Sequence, residues 1–170
     1  MRNIEVLSSA EKIVDAAVCL MDGGHQIPAI MLTYVGIDQM CWLSIKTEKS
    51  CGDDFVAWVD NFMLPHYSLP CTAKELWAAR NGLLHMGTAE SSAIKKNTSI
   101  RKIFYVYGST ECTRNDSTDT VIVRVENLIG AFATGAYQFL QTMNKDSSMA
   151  SVALEKLGRT LISRGPDQRH

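Results

Sequence analysis

Arg80, Asn81 and His85 are the residues whose types and spacing could do chemistry, within the segment Arg80-Asn81-Gly82-Leu83-Leu84-His85. An arginine presents a planar, permanent cation whose fork of N–H groups matches a phosphate. A histidine moves protons near neutral pH. An adjacent amide can fix the imidazole or a phosphate oxygen. Together these groups suit metal-free cleavage of RNA. The ribose 2′-OH attacks phosphorus, the imidazole handles protons and the guanidinium stabilises the developing charge. One histidine per chain is thin for two proton transfers, and a symmetric dimer with two such segments face to face supplies a second.

The element that must position these residues is a helix. Thr72-Ala73-Lys74-Glu75 is a capping-box pattern that opens it, and it runs to about Met86, stopping near Gly87. With Arg80 as the zero direction, Ala73, Leu76, Trp77, Ala79, Leu83 and Leu84 fall within about 100° on either side. Asn81 lies at about 100° and His85 at about 140°, an i, i+4 pair that can touch. Arg80 therefore points into an apolar arc, which is costly unless it is paired or faces a cleft. Two structural readings stand beside the functional one. Arg80 pairs with a carboxylate from another helix, Glu11, Asp15 or Asp38, or it reaches past the arc to solvent. His85 taken alone reads as an ordinary half-buried histidine.

The rest of the chain supplies mostly helices. Ser8-Ser9-Ala10-Glu11 is a capping-box pattern that opens a first helix, with Ile13, Val14, Ala17, Val18 and Met21 at helical spacing and Asp22-Gly23-Gly24 at its end. Pro28 suits the first turn of a second helix reaching about Ile45. A short third helix covers Asp53 to Met63, with Phe55, Val59 and Phe62 inward. Past the segment of interest, Ile100 to Tyr107 and Thr120 to Val125 are rich in β-branched and aromatic residues, separated by a polar, turn-like stretch. They read as an antiparallel hairpin that must pack on the helices. Helical spacing returns from Glu126 to Met143, and Ser147 opens a last helix to about Leu161. The expected fold is all-α: a single domain over 1–170, five to six helices with a small antiparallel β-hairpin insert, and a frayed tail at 163–170.

At Arg80-Asn81 and His85 the sequence resembles the HEPN superfamily, whose signature is an arginine, four to six residues, then a histidine, with a polar residue directly after the arginine. The string Leu76-Trp77-Ala78-Ala79-Arg80-Asn81-Gly82-Leu83-Leu84-His85, the following Ala89-Glu90-Ser91 and the strand-like Ile103 to Gly108 also resemble a group of uncharacterised bacterial HEPN-like proteins of similar length. The resemblance implies a helical bundle that dimerises through the motif helices. For active members it implies a metal-independent endoribonuclease of toxin or defence type, with RNA and an antitoxin protein as partners. Carried over, Arg80 binds and stabilises phosphate, Asn81 positions, and His85 is the general acid or base. Other members are inactive modules that bind RNA, nucleotide or protein, and a purely structural helical dimer is a third reading. The hairpin insert departs from the minimal bundle.

Further candidates lie after the motif helix. Glu90 and Ser91 could line the same cleft, although polar residues are expected in any post-helix loop. Lys95, Lys96, Arg101 and Lys102 form the one notable basic cluster, and Lys95 and Lys102 are candidate contacts for an RNA backbone. The alternative is a solvated charged segment. His25 reads as a turn residue, and His66 has no evident ligand partner. Trp42, Trp58 and Trp77 fall at apolar helical spacing and read as core.

Bulk properties set the limits. The 170 residues fit one domain, and 46% hydrophobic with 21% charged residues is a globular balance. A formal net charge of −1 means that any nucleic-acid face is a local patch. The cysteines, at 19, 41, 51, 71 and 112, are odd in number and lack C-x-x-C spacing, so reduced structural thiols and no zinc site are expected. No cofactor is implied. Glu5, Glu11 and Asp15 interrupt any signal peptide, and Ile27 to Ile45 is too polar for a membrane span. A soluble cytoplasmic protein with no membrane contact is expected.

Overall fold

A computed structural model of the chain describes residues 4–86, 99–108 and 119–159. It is mostly helical. The order is α1 (Ile4–Asp22), α2 (Gln26–Ser44), α3 (Gly52–Trp58) continuing as a π turn (Val59–Met63), α4 (Ala73–Met86), β1 (Lys102–Val106), β2 (Thr120–Arg124), α5 (Val125–Met143) and α6 (Ser147–Leu157).

α1 starts four residues ahead of Ser8. Val6 is buried with Ala10 and Ala17, so the apolar stripe extends upstream and tertiary packing overrides the capping-box pattern. The helix stops at the expected glycine pair. Gly24 has φ +81°, a left-handed conformation that costs glycine little.

α2 is apolar on nearly every side. One face carries Ala29, Ile30, Tyr34, Ile37, Cys41 and the other buried residues, yet Ile27 and Val35 on the opposite side are 56% and 47% exposed. Its close neighbour is α5. A Cβ on Gly36 would come within 2.5 Å of the Phe132 ring, so only glycine permits this approach. Beyond its C-terminus the chain is tied down by Lys156 of α6. The Nζ of this buried lysine donates to the carbonyls of Trp42, Ile45 and Thr47 at 2.7–2.8 Å. It stabilises carbonyls that a helix end leaves without intrahelical partners.

α3 and the π turn match the expected third helix, with Phe55, Trp58, Val59 and Met63 buried. α4 begins where the sequence indicates. The Thr72 amide donates to Glu75 Oε2 at 2.7 Å and the Glu75 amide to Thr72 Oγ1 at 3.3 Å, a reciprocal cap. Glu75 also accepts from Arg101 Nε at 2.7 Å, which fixes the chain entering β1 against the start of α4.

The two strands correct the expected hairpin. β1 and β2 are parallel, pairing Lys102 with Thr120 through Val106 with Arg124. Strand-forming residues and burial alternation carry no strand direction. The polar stretch between the strands, turn-like in composition, spans 107–119, enough for the crossover that a parallel pair requires. The nearly continuous burial of β2, with Val121 and Val123 at 0% exposure, suits a parallel strand. The Tyr34 and Tyr105 hydroxyls hydrogen-bond to each other and join α2 to β1.

α5 follows β2 without a linker and buries ten residues, Phe132 and Phe139 among them. α6 is capped by Asp146, whose Oδ1 accepts from the amides of Ser148 and Met149. It ends at Leu157, before the expected Leu161, and the tail at 163–170 lies outside the described residues. No described helix is long and apolar enough to cross a membrane.

Candidate functional site

The site is built where α4 meets α2. Asp38 is the only charged residue in the 19 residues of α2. It falls on the side facing α4, and its Oδ2 accepts from Arg80 Nε at 2.9 Å and from Nη2 at 2.6 Å. Of the three carboxylates that the sequence offered to Arg80, the fold selects this one. Glu11 and Asp15 are exposed on α1, beside Leu7, Ala10, Val14 and two alanines of α5.

The pair is sheltered but not sealed. Side-chain exposure is 18% for Arg80 and 26% for Asp38. Burial pushes the Asp38 carboxyl above its ordinary value, while the hydrogen bond and charge of Arg80, and the nearby His85, pull it down. Arg80 thus meets the demand of its apolar direction by pairing, and keeps an edge toward solvent.

On that edge lie the other two residues. Arg80 Nη1 donates to Asn81 Oδ1 at 3.0 Å and contacts His85 Nε2 at 2.9 Å. A guanidinium only donates, so Nε2 must accept. This contact therefore requires the neutral imidazole with its proton on Nδ1. His85 is exposed and Asn81 half-buried. The Arg80 guanidinium also lies 5.1 Å from the centre of the Trp77 ring, a cation–π distance. Trp77 in turn packs on Phe55, with ring centres 5.1 Å apart. A Cβ on Gly52 would come within 2.8 Å of the Trp77 indole nitrogen, so the first residue of α3 is shaped around that ring.

Four of the five guanidinium N–H groups are thereby directed at partners: two at Asp38, one at Asn81 and one at His85. The second Nη2 hydrogen has no hydrogen-bond partner among the described residues. Such a constellation can receive an anion on the Nη edge and can accept or donate a proton at His85.

The structure brings together Arg80, Asn81 and His85, the three residues chosen from the sequence. It adds Trp77, read from sequence as core only, and it singles out Asp38. The signal for Asp38 was a lone carboxylate within an apolar helix. Glu90, Ser91, Lys95 and Lys96 lie outside the described residues. Lys102 is the first residue of β1 and is not among the hydrogen-bond partners of Arg80. Arg101 is spent on Glu75 and the Pro70 carbonyl, which makes part of the basic cluster structural.

Other features are accounted for without chemistry. Cys41 and Cys71 are buried free thiols, each pushed up to about 12 chiefly by burial. Cys19 and Cys51 are free and exposed. No group of three or more His, Cys, Asp or Glu placed to hold a metal ion occurs among the described residues. A groove of about 700 Å³ is lined by Glu5, Ser147, Ala150, Ser151, Leu154 and Glu155, with no cationic or imidazole side chain among these described residues.

No protein-family model matches the chain, and neither the curated proteins nor the solved structures contain a match to it.

Proposed function

We propose that this protein is a HEPN-like, metal-independent endoribonuclease whose site is Arg80, Asn81 and His85. The observation that carries the reading is the convergence of Asn81 Oδ1 and His85 Nε2 on a single guanidinium nitrogen, Arg80 Nη1, in the second half of α4. The guanidinium edge is placed to receive a phosphodiester. The neutral imidazole has a nitrogen that can take the 2′-OH proton. The 2′ oxygen bonds to phosphorus, the bond to the 5′ oxygen breaks, and a protonated imidazole returns a proton to that leaving oxygen. The products are a 2′,3′-cyclic phosphate and a 5′-hydroxyl.

Two histidines complete the scheme when two copies meet at a two-fold axis. The uncovered apolar residues of α2, Ile27 and Val35, support a homodimer. Val35 lies three residues before Asp38, so a second copy seated there would lie beside the site. As in the toxin and defence systems that the motif resembles, an antitoxin protein would be the natural restraint. End-group analysis of RNA cut by the purified protein tests the proposal. Cyclic-phosphate and 5′-hydroxyl ends support it, and 3′-hydroxyl with 5′-phosphate ends contradict it.

A second reading has its own observation. Four of the five Arg80 donors are already directed at protein partners. A module that binds RNA or nucleotide without turnover would also have Arg80 held in this way. It predicts binding weakened by salt and by Arg80→Ala, with the RNA left intact.

A further inference from the structure

We infer that Asp38 is a positioning residue of this site: it holds the side edge of the Arg80 guanidinium so that an arriving phosphate takes the Nη edge and, in doing so, releases His85 Nε2. The inference rests on the reading of Arg80 as the phosphate-binding group.

The geometry separates the two edges of the fork. Asp38 Oδ2 receives Nε and Nη2, the side edge. Nη1 is held by Asn81 and His85, and one Nη2 hydrogen is left over. A phosphate that binds in two-pronged fashion needs one hydrogen from Nη1 and one from Nη2. The Nη2 hydrogen is available, and an Nη1 hydrogen becomes so when His85 lets go. Asp38 need not move. Trp77 beneath the guanidinium and Asp38 at its side thus fix the plane of the fork while its end changes partners.

This exchange has a chemical consequence. In the free protein the Nε2 lone pair is occupied by Arg80, so it is not available to a ribose hydroxyl. The anion that displaces it makes the base available only when a phosphate is present. Asp38 also balances the Arg80 charge, which favours release of the anionic product.

The test uses the full chain with the His85 imidazole nitrogens followed by NMR while inorganic phosphate is added. In the wild type, Nε2 carries the signal of a hydrogen-bond acceptor and moves as phosphate binds. In Asp38→Asn the guanidinium loses the charged partner of its side edge, and the Nε2 signal is displaced from the wild-type acceptor position before phosphate is added. Asp38→Glu, which keeps the charge but lengthens the arm, shifts Nε2 as well and serves if Asp38→Asn does not fold. An Nε2 signal identical to wild type in the folded variants overturns the inference. With an RNA substrate, Asp38→Asn lowers kcat about tenfold or more with KM unchanged or lower, whereas raised KM at unchanged kcat contradicts it. If the wild type cuts no RNA, the ribonuclease reading fails and the imidazole measurement still decides the role of Asp38.

Discussion

Asp38 Oδ2 lies 2.6 Å from Arg80 Nη2, joining the only charge of α2 to the residue of α4 that points into an apolar arc. Each side chain explains the other. An isolated carboxylate in α2 and an isolated guanidinium in α4 would both be costly, and the pair makes the α2–α4 contact tolerable. Removing one partner should therefore be worse than its exposure suggests. Arg80→Met is expected to lower stability by about 1–3 kcal/mol at neutral pH, because Asp38 is left half-buried without its counter-charge. The pH dependence follows from Asp38, whose carboxyl is already raised by burial and rises further without Arg80. A carboxyl raised in the folded state stabilises it fully below the unfolded value and loses that contribution as pH rises through the folded value. The deficit of Arg80→Met should thus shrink as pH falls through the raised values of the two folded proteins, which lie above the ordinary aspartate value, because protonation removes the unpaired charge. Urea titrations of the two proteins at neutral and acid pH check this.

The Glu75 carboxyl is shifted in the opposite direction. It is 3% exposed, and burial alone would raise its carboxyl. The Arg101 side-chain hydrogen bonds and the amides of Thr72 and Arg101 outweigh burial and hold it below the ordinary value. A carboxyl depressed in the folded state contributes stability above the unfolded value and loses it as pH falls through the folded value. Glu75→Gln should cost about 2–3 kcal/mol at neutral pH, since Arg101 loses its ionic partner and the cap loses its charge. The gap to wild type should close as pH falls below about 4. Thermal melts of both proteins across that range show whether it does.

Gly36 tests the packing behind the site. Its missing Cβ admits the Phe132 ring, with Ile13 also within 3 Å of where that atom would lie. Gly36→Ala is expected to destabilise by about 1–3 kcal/mol through overpacking, despite the better helix propensity of alanine. Chemical denaturation checks the sign. A stabilised variant would mean that α2 and α5 are not packed as described.

Lys156 holds the chain at the end of the same helix. Lys156→Met leaves the carbonyls of Trp42, Ile45 and Thr47 without their shared donor. A loss of about 1–3 kcal/mol is expected, most of it from the half-buried Trp42 and Ile45, since the exposed Thr47 can turn its carbonyl to water. Hydrogen exchange should show the last turn of α2 opening first in this variant.

The sequence was informative where causes are local. Thr72 and Glu75 marked the start of α4 because a capping box acts within four residues, and the glycine pair marked the end of α1 for the same kind of reason. The grouping of Arg80, Asn81 and His85 was legible because they share one helix. Strand direction was not, since Ile103 and Val121 bury alike in parallel and antiparallel pairs. Nor could spacing choose among Glu11, Asp15 and Asp38, because that choice depends on which helix crosses α4. The role of Trp77 beneath Arg80 depends on Gly52 and Phe55, which no local pattern connects to it. Ser8-Ser9-Ala10-Glu11 misled because Val6 is drawn into the core and carries the helix past its local stop.

In the proposed reaction Arg80 and His85 act together on RNA. The most direct measurement is cleavage of single-stranded RNA by purified wild type and by His85→Ala, in the presence of a metal chelator, with both proteins shown to be folded. Cleavage by wild type that persists with the chelator and falls by about a hundredfold or more in His85→Ala is the predicted result. Intact RNA with wild type, or equal cleavage by the two proteins, would contradict it.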